Sequence, residues 1–329
     1  MPSQWLGVVQ SVSFMKSWNQ TSPEILAECE RRLLSHVGAS YNVYTVDVKI
    51  DIQSGVLYER IHTFEIKGNG MELSVPVVII HGFASGLATF VNLFKELRAS
   101  CDIIYAIDIL GFGRSSKPVF PSDSLDAECL FVDSIESWRI QMQLPAMVIC
   151  AHSFGAYVAT KYTQKYPNAV KGLILFEPWG FPYKSPSECG WLKRLGSTVN
   201  PLLLLKMAGP IAPSVMRLFT RDLFQKTFTN IGKEEEMFSY LYHSNIQCTG
   251  DAGFMALKAP YHHAKRPLSL GGLECSISLI YGRDSWIYAM TNLHESNAVI
   301  EIIPNAGHQI YADQPEQFIH AVRRALERI

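Results

Sequence analysis

The sequence predicts an α/β fold: a mostly parallel central sheet with helices on both faces, interrupted by an all-helical insertion. Two observations carry this expectation. From residue 75 onward the chain repeats short, continuous apolar runs: "VPVVIIHG" (75–82), "CDIIYAID" (101–108), "AMVICAHS" (146–153), "VKGLILFEP" (170–178), "ECSISLIYG" (274–282) and "AVIEIIPN" (298–305). Stretches long enough for helices separate them, which is the pattern of strands buried on both faces and joined by crossovers. The second observation is the gap at 181–272, rich in Pro, Met, Leu and aromatic residues, which reads as several helices without a strand.

Taken in chain order, residues 1–20 stand apart. Trp5, Leu6, Val8, Val9, Val12, Phe14, Met15 and Trp18 crowd a segment whose single charge is Lys16. No basic region and no small-residue cleavage site mark it as a secretory leader, and no apolar run reaches the length of a spanning helix. It reads either as a lipid-surface anchor, with Trp5, Phe14 and Trp18 at the membrane–water boundary, or as an arm packed on the body. Thr21-Ser22-Pro23-Glu24 opens a helix through about His36, with an acceptor at the cap and proline in the first turn. "YNVYTVDVKID" and "VLYERIHTFEI" alternate as a hairpin around Ser54-Gly55. The expected organisation is an α/β core of 21–180 and 273–329 carrying a helical cap, 181–272.

Composition narrows the function. Of 329 residues, 48% are hydrophobic and 18% charged, and the net charge is −1, so a large core is expected and a nucleic-acid footprint is not. The seven cysteines are scattered and never spaced as C-x-x-C, which argues for reduced thiols in a cytoplasmic protein rather than a disulfide framework or zinc site. No metal or dissociable cofactor is expected.

The chemistry concentrates in "CAHSFGAYVA" (150–159), where an apolar strand runs into small-x-Ser-x-small and then into helix-forming sequence. A sharp strand-to-helix turn crowds its flanks, so small neighbours around Ser153 are what a nucleophile elbow requires. A serine nucleophile needs a base, an orienting acid and an oxyanion hole. His308, after the last apolar run, is the candidate base. "IIHGF" supplies the oxyanion loop, with the Phe83 N–H joining that of Phe154, while His81 and Gly82 shape it. Asp284, in "YGRDSW", is the expected acid and Glu177, in "LFEPWGF", the alternative. In "AIDILGFGRSSKP" the G-x-G lacks dinucleotide spacing, which leaves Asp108 a structural role. Asp313 begins Asp-x-Pro-Glu, a cap for the final helix. With His308 it also makes H-x-x-x-x-D, a spacing found in glycerolipid acyltransferases. Lys258, Lys265 and Arg266 read either as contacts to a phosphate head group or as a solvated basic face.

Together these stretches resemble one subfamily of the α/β-hydrolase-domain proteins, the group of the lipid-droplet co-activator of adipose triglyceride lipase and its lysophospholipase paralogue acting on N-acyl phosphatidylethanolamines. "VVIIHGFASGLATF", "YAIDILGFGRSSKP", "LFEPWGFP", "APYHHAKRPL" and "AGHQIYADQPEQF" carry the likeness, from about residue 30 to the end. The resemblance implies an α/β-hydrolase fold and a serine-dependent hydrolase or acyltransferase of lysophospholipids or N-acyl phospholipids. It implies Ser153 as nucleophile, His308 as base, and His308 with Asp313 as an acyltransferase-type pair. It also implies a phospholipid or acylglycerol substrate, a lipid-droplet or membrane surface, and a triglyceride lipase as partner. Co-activators of vertebrate type carry Asn at the elbow, and the lysophospholipase branch carries Ser. Where the family has an acid after the penultimate strand, this chain has Tyr288. Either Asp284 takes that role or the triad is incomplete, which would leave a lipid-binding scaffold; the alternative function is a non-catalytic lipid-droplet co-activator of a triglyceride lipase.

Overall fold

The computed structural model describes residues 20–52, 55–69, 74–182, 199–218, 233–260, 263–291 and 297–329. The N-terminal stretch containing Trp5, Phe14 and Trp18 lies outside them. Helix α1 (Pro23–Leu34) starts where Ser22 Oγ accepts the Ile25 N–H at 3.2 Å, with Pro23 in the first turn. Strands β1 (Asn42–Ile52) and β2 (Gly55–Lys67) form the antiparallel hairpin, pairing Ile52 with Gly55 through Asn42 with Glu65.

The remaining strands are β3 (Val77–Ile80), β4 (Ile103–Ile107), β5 (Met147–His152), β6 (Val170–Phe176), β7 (Ser276–Gly282) and β8 (Val299–Ile303). The eight form one sheet in the order β1-β2-β4-β3-β5-β6-β7-β8. β2 runs antiparallel to β4, and every pair from β4 through β8 is parallel. β3 and β5 are buried at every position, which is why these strands read as unbroken apolar runs rather than alternating ones. The fold expected from the sequence is the fold observed.

Helices α2 (Val91–Leu97), α3 (Ser124–Gln141) and α4 (Phe154–Lys165) connect the parallel strands. Between β6 and β7 the described residues form α5 (Pro201–Met207), a 3₁₀ turn (Gly209–Ile211), α6 (Glu234–Gln247) and α7 (Gly250–Leu257). Three short or terminal helices complete the chain: α8 (Trp286–Met290), α9 (Ile310–Asp313) and α10 (Pro315–Leu326). The insertion packs directly on the loop after β3. Asn245 Nδ2 donates to Ala84 O at 3.0 Å, and the Phe83 and Phe254 rings lie 4.3 Å apart. Among the described residues no helix is long and apolar enough to cross a membrane.

In this sheet the carboxyl ends of β3, β5, β6, β7 and β8 open on the same edge, where the chain reverses direction across β3. A crevice forms at such a reversal, and side chains from several loops converge there.

Candidate active site

The turn from β5 into α4 holds Ser153 at φ 51°, ψ −114°, a region that non-glycine residues occupy only when their surroundings force them to. The surroundings do so: Ser153 N–H donates to Phe176 O at 3.1 Å, while its carbonyl accepts from Ala156 and Tyr157 in α4 and from Trp179. The small neighbour is equally constrained. A Cβ on Gly155 would lie 2.2 Å from the His81 carbonyl oxygen, so the elbow and the loop after β3 touch backbone to backbone. A Cβ on Gly82 would lie 3.1 Å from Ser153 Cβ and 2.8 Å from His152 Nδ1.

Ser153 Oγ lies 3.0 Å from His308 Nε2, and His308 Nδ1 lies 3.2 Å from Glu177 Oε2. Glu177 is fully buried, sits at φ 51° immediately after β6, and receives two further donors. The Gly282 N–H donates to Oε1 at 2.5 Å, and the Ser285 hydroxyl donates to Oε2. With the carboxylate as acceptor, Nδ1 carries the imidazole proton and Nε2 faces the serine hydroxyl as acceptor. Three groups brought from β5, β6 and the loop after β8 therefore form one line along which a proton can move from the serine hydroxyl to the imidazole.

Asp284 does not join that line, and the expectation that it supplies the acid is corrected. Its side chain is exposed, and its N–H donates to Ala306 O at 2.9 Å. β6 and β7 are neighbours, so a carboxylate after either strand could reach the loop bearing His308. Glu177 has the longer side chain and a backbone turned inward, and the β7 turn offers it donors rather than a competing acid.

Phe154 follows the serine directly, and Phe83 follows Gly82, whose added Cβ would lie 3.1 Å from Ser153 Cβ. Phe154 is the first residue of α4, so its N–H has no partner within the helix. The loop before Phe83 is fixed by His81, whose Nδ1 lies 2.7 Å from Gly82 O and whose Nε2 accepts the Ile109 N–H at 3.0 Å. Burial holds the His81 ring below its ordinary pKa, which keeps it neutral in this arrangement. Asp108 is likewise structural, accepting the N–H groups of Leu87 and Arg114 at 2.8 and 2.7 Å.

Asp313 departs from its expected capping role. The residue preceding α10 is Gln314, which makes no side-chain cap, and Asp313 Oδ2 instead accepts the Gly307 N–H at 2.8 Å. His152 was not singled out by sequence, yet its Nε2–H donates to His308 O at 3.0 Å. Its ring is buried against Phe176, and burial together with the nearby His308 pushes its pKa well down. A histidine directly before the elbow serine was the available signal. Phe83, Phe154, Trp179 and Phe254 pack together beside the elbow as a mostly buried aromatic cluster, Phe154 and Trp179 standing 5.1 and 4.9 Å from Phe254.

Of the basic residues near the insertion, Arg266 pairs with Glu128 at 3.3 Å and Lys258 is buried. Among the described residues one group, Glu30, His62 and Asp108, brings potential metal-ligand atoms together. Arg114 Nη1 already lies 2.7 Å from Glu30 and 3.3 Å from His62 Nε2, so a guanidinium takes the cation's place.

A parallel sheet with a strained serine between strand and helix, a histidine after the last strand and a carboxylate behind it defines the α/β-hydrolase class. The chain belongs to the alpha/beta hydrolase family, whose match spans residues 77–321. It is 35% identical over 323 residues to the mouse (Mus musculus) 1-acylglycerol-3-phosphate O-acyltransferase ABHD5, covering 92% of this chain and 89% of that one. It is 36% identical over 274 residues to the human (Homo sapiens) (Lyso)-N-acylphosphatidylethanolamine lipase, covering 77% and 80%. Among solved structures it resembles a thermophilic esterase from Thermogutta terrifontis, with TM-score 0.62 at 20% identity over 87% of this chain and 98% of that one. A bacterial membrane phospholipase A matches with TM-score 0.62 at 17% identity over 99% and 98%. At such identities these two speak for the fold alone.

Proposed function

We propose that this protein is a serine-dependent acyl hydrolase or acyltransferase of lipid esters, acting on lysophospholipids or N-acyl phospholipids at a lipid surface. The observation that carries the reading is the Ser153–His308–Glu177 line, with its contacts of 3.0 and 3.2 Å. The names of the two curated relatives, an acylglycerol-phosphate acyltransferase and an N-acylphosphatidylethanolamine lipase, supply the substrate class.

In the proposed mechanism Ser153 Oγ attacks the ester carbonyl as its proton passes to His308 Nε2. The imidazolium that forms is stabilised by Glu177, which also fixes the tautomer. The N–H groups of Phe83 and Phe154 receive the oxyanion, aided by the positive end of α4. His308 then returns the proton to the departing alcohol. Water, or the hydroxyl of a lysophospholipid, next attacks the acyl-serine with His308 as base. The apolar cluster of Phe83, Trp179 and Phe254 beside the serine suits the neighbourhood of an acyl chain. A carboxylate on His308 Nδ1 and a strained serine are what an acyl-transfer enzyme needs and what a purely non-catalytic co-activator has no use for.

The test is labelling by a fluorophosphonate together with release of fatty acid from a lysophospholipid. Wild-type protein is expected to do both and Ser153→Ala neither. Labelling that persists in Ser153→Ala, or no labelling of the wild type, overturns the assignment.

A further inference from the structure

Three side chains from the insertion converge on the loop that follows β3. Asn245, on α6, is buried and donates from Nδ2 to Ala84 O at 3.0 Å and to Leu241 O at 2.8 Å. Both neighbours are carbonyls, so the amide nitrogen must face them, and the Leu241 bond locks the side chain against its own helix. Its Oδ1 is left buried without a hydrogen-bond partner among the described residues. An apolar residue would avoid that cost, so what an amide contributes here is its donor side. Ala84 sits at φ 56°, a left-handed conformation that alanine keeps only when its surroundings hold it. Tyr240 and Phe254 grip the same loop. The Tyr240 hydroxyl oxygen accepts the Ala88 N–H at 3.4 Å, a Cβ on Gly86 would overlap that hydroxyl, and the Phe254 ring lies 4.3 Å from that of Phe83.

We propose that Asn245 is a positioning residue for the oxyanion hole: its bond to the Ala84 carbonyl holds the turn that aims the Phe83 N–H at the substrate. The proposal deepens the function above and rests on its reading of Ser153 as an acyl-transfer nucleophile. Phe83 is bracketed from both sides. On the preceding side, His81 meets Gly82 O at 2.7 Å and accepts the Ile109 N–H at 3.0 Å, contacts that belong to the sheet core. On the following side, the chain turns through a strained alanine whose carbonyl is held by the insertion's amide. Backbone kept out of its relaxed conformation returns to it when the hold is removed, and rotation at Ala84 carries the adjoining peptide units with it. An oxyanion donor works by already pointing at the charge that develops, so this hold counts in the transition state rather than in substrate binding. The core thus supplies Ser153, His308 and Glu177, while α6 sets the loop that completes the site.

The experiment measures kcat and KM of the full chain for a short water-soluble ester, and its affinity for an alkyl trifluoromethyl ketone, whose serine adduct places an oxyanion in the same hole. Asn245→Leu keeps the size of the side chain and removes the donor. It is expected to lower kcat about 10- to 100-fold with KM within about twofold, and to weaken ketone binding by a similar factor. The midpoint of the pH–rate profile is expected to stay in place, because His308 and Glu177 keep their contact. Adding Ala84→Gly is expected to recover at least about threefold of the lost kcat, since glycine adopts φ 56° without help. If Asn245→Leu fails to fold, Asn245→Ser, a smaller side chain that leaves room for water, takes the same measurements. A loss of kcat with undiminished ketone affinity overturns the proposal, as does a shifted pH midpoint, which would place the loss at the triad. Wild-type protein that binds no ketone overturns the acyl-transfer reading itself. Tight wild-type binding that is unaltered in the folded variant overturns the role of Asn245 alone.

Discussion

Gly307 donates its backbone N–H to the Asp313 carboxylate across 2.8 Å, so the aspartate five residues after His308 holds the loop that presents the imidazole. From the other side the His308 carbonyl accepts the His152 Nε2–H at 3.0 Å. The loop that carries the imidazole is thus held through its backbone at two points, and Asp313 acts there as a tether. In Asp313→Ala, kcat for a water-soluble ester should fall roughly 10- to 100-fold with little change in KM, the scale expected when a catalytic group shifts by about an ångström. Asp313→Asn, which keeps an acceptor, should recover much of that loss. If Asp313→Ala impairs acyl transfer to a lysophospholipid yet leaves hydrolysis intact, the tether account fails.

The acid can be assigned by a pair of substitutions. Glu177→Gln removes the charge that fixes the histidine tautomer and stabilises the imidazolium, and kcat should drop about 10³- to 10⁴-fold. Asp284→Ala changes an exposed side chain and should alter kcat/KM by no more than about twofold. Steady-state kinetics on one ester substrate with both variants decides the matter; the opposite ranking would return the role to Asp284.

Stability should decline in mild acid through two buried rings. His81 and His152 both have pKa values lowered from an ordinary 6.5, chiefly by burial. Below about pH 6.5 the unfolded chain takes up protons at these positions while the folded one does not. Unfolding is then favoured increasingly as pH falls, by up to about 1.4 kcal/mol per pH unit for each ring. Thermal melts between pH 7.5 and 5.5 should show this slope, and His152→Asn should reduce it. A slope unaltered by that change would rule out His152 as a source.

Gly155 tests the contact between elbow and oxyanion loop. Its Cβ in Gly155→Ala would meet His81 O at 2.2 Å and Ile80 O at 2.9 Å, both backbone atoms with no rotamer to relieve the overlap. The variant should fold with a cost of about 1–3 kcal/mol and lose most fluorophosphonate labelling, because the loop carrying Phe83 must move away. Full labelling in a well-folded variant would show that the loop is not so constrained.

Much of this protein was legible in the chain itself. Each of the eight strands was readable because burial on both faces, or alternation in the hairpin, is written in consecutive residues. The elbow was readable for a similar reason, since steric crowding over a few positions demands small flanks at Ala151 and Gly155. Where sequence reasoning failed, it applied a rule for one element to residues whose partners lie outside that element. Asp313 fits a helix cap by spacing, yet a backbone N–H from the preceding loop claims its carboxylate. The burial of Lys206 in α5 could not be read at all, because its pairing with Asp251 spans 45 positions.

What the sequence determined on its own was therefore the sheet, the serine turn and the histidine after the last strand, since each follows from neighbours within one element. Only the tertiary structure decided which carboxylate meets the imidazole. Glu177 and Asp284 end adjacent strands 107 positions apart (284 − 177), and the choice lies in which carboxylate the backbone aims inward and which donors await it. Gly282 and Ser285 supply those donors to Glu177 across β6 and β7, an arrangement of electrostatics that exists only once the two strands lie side by side.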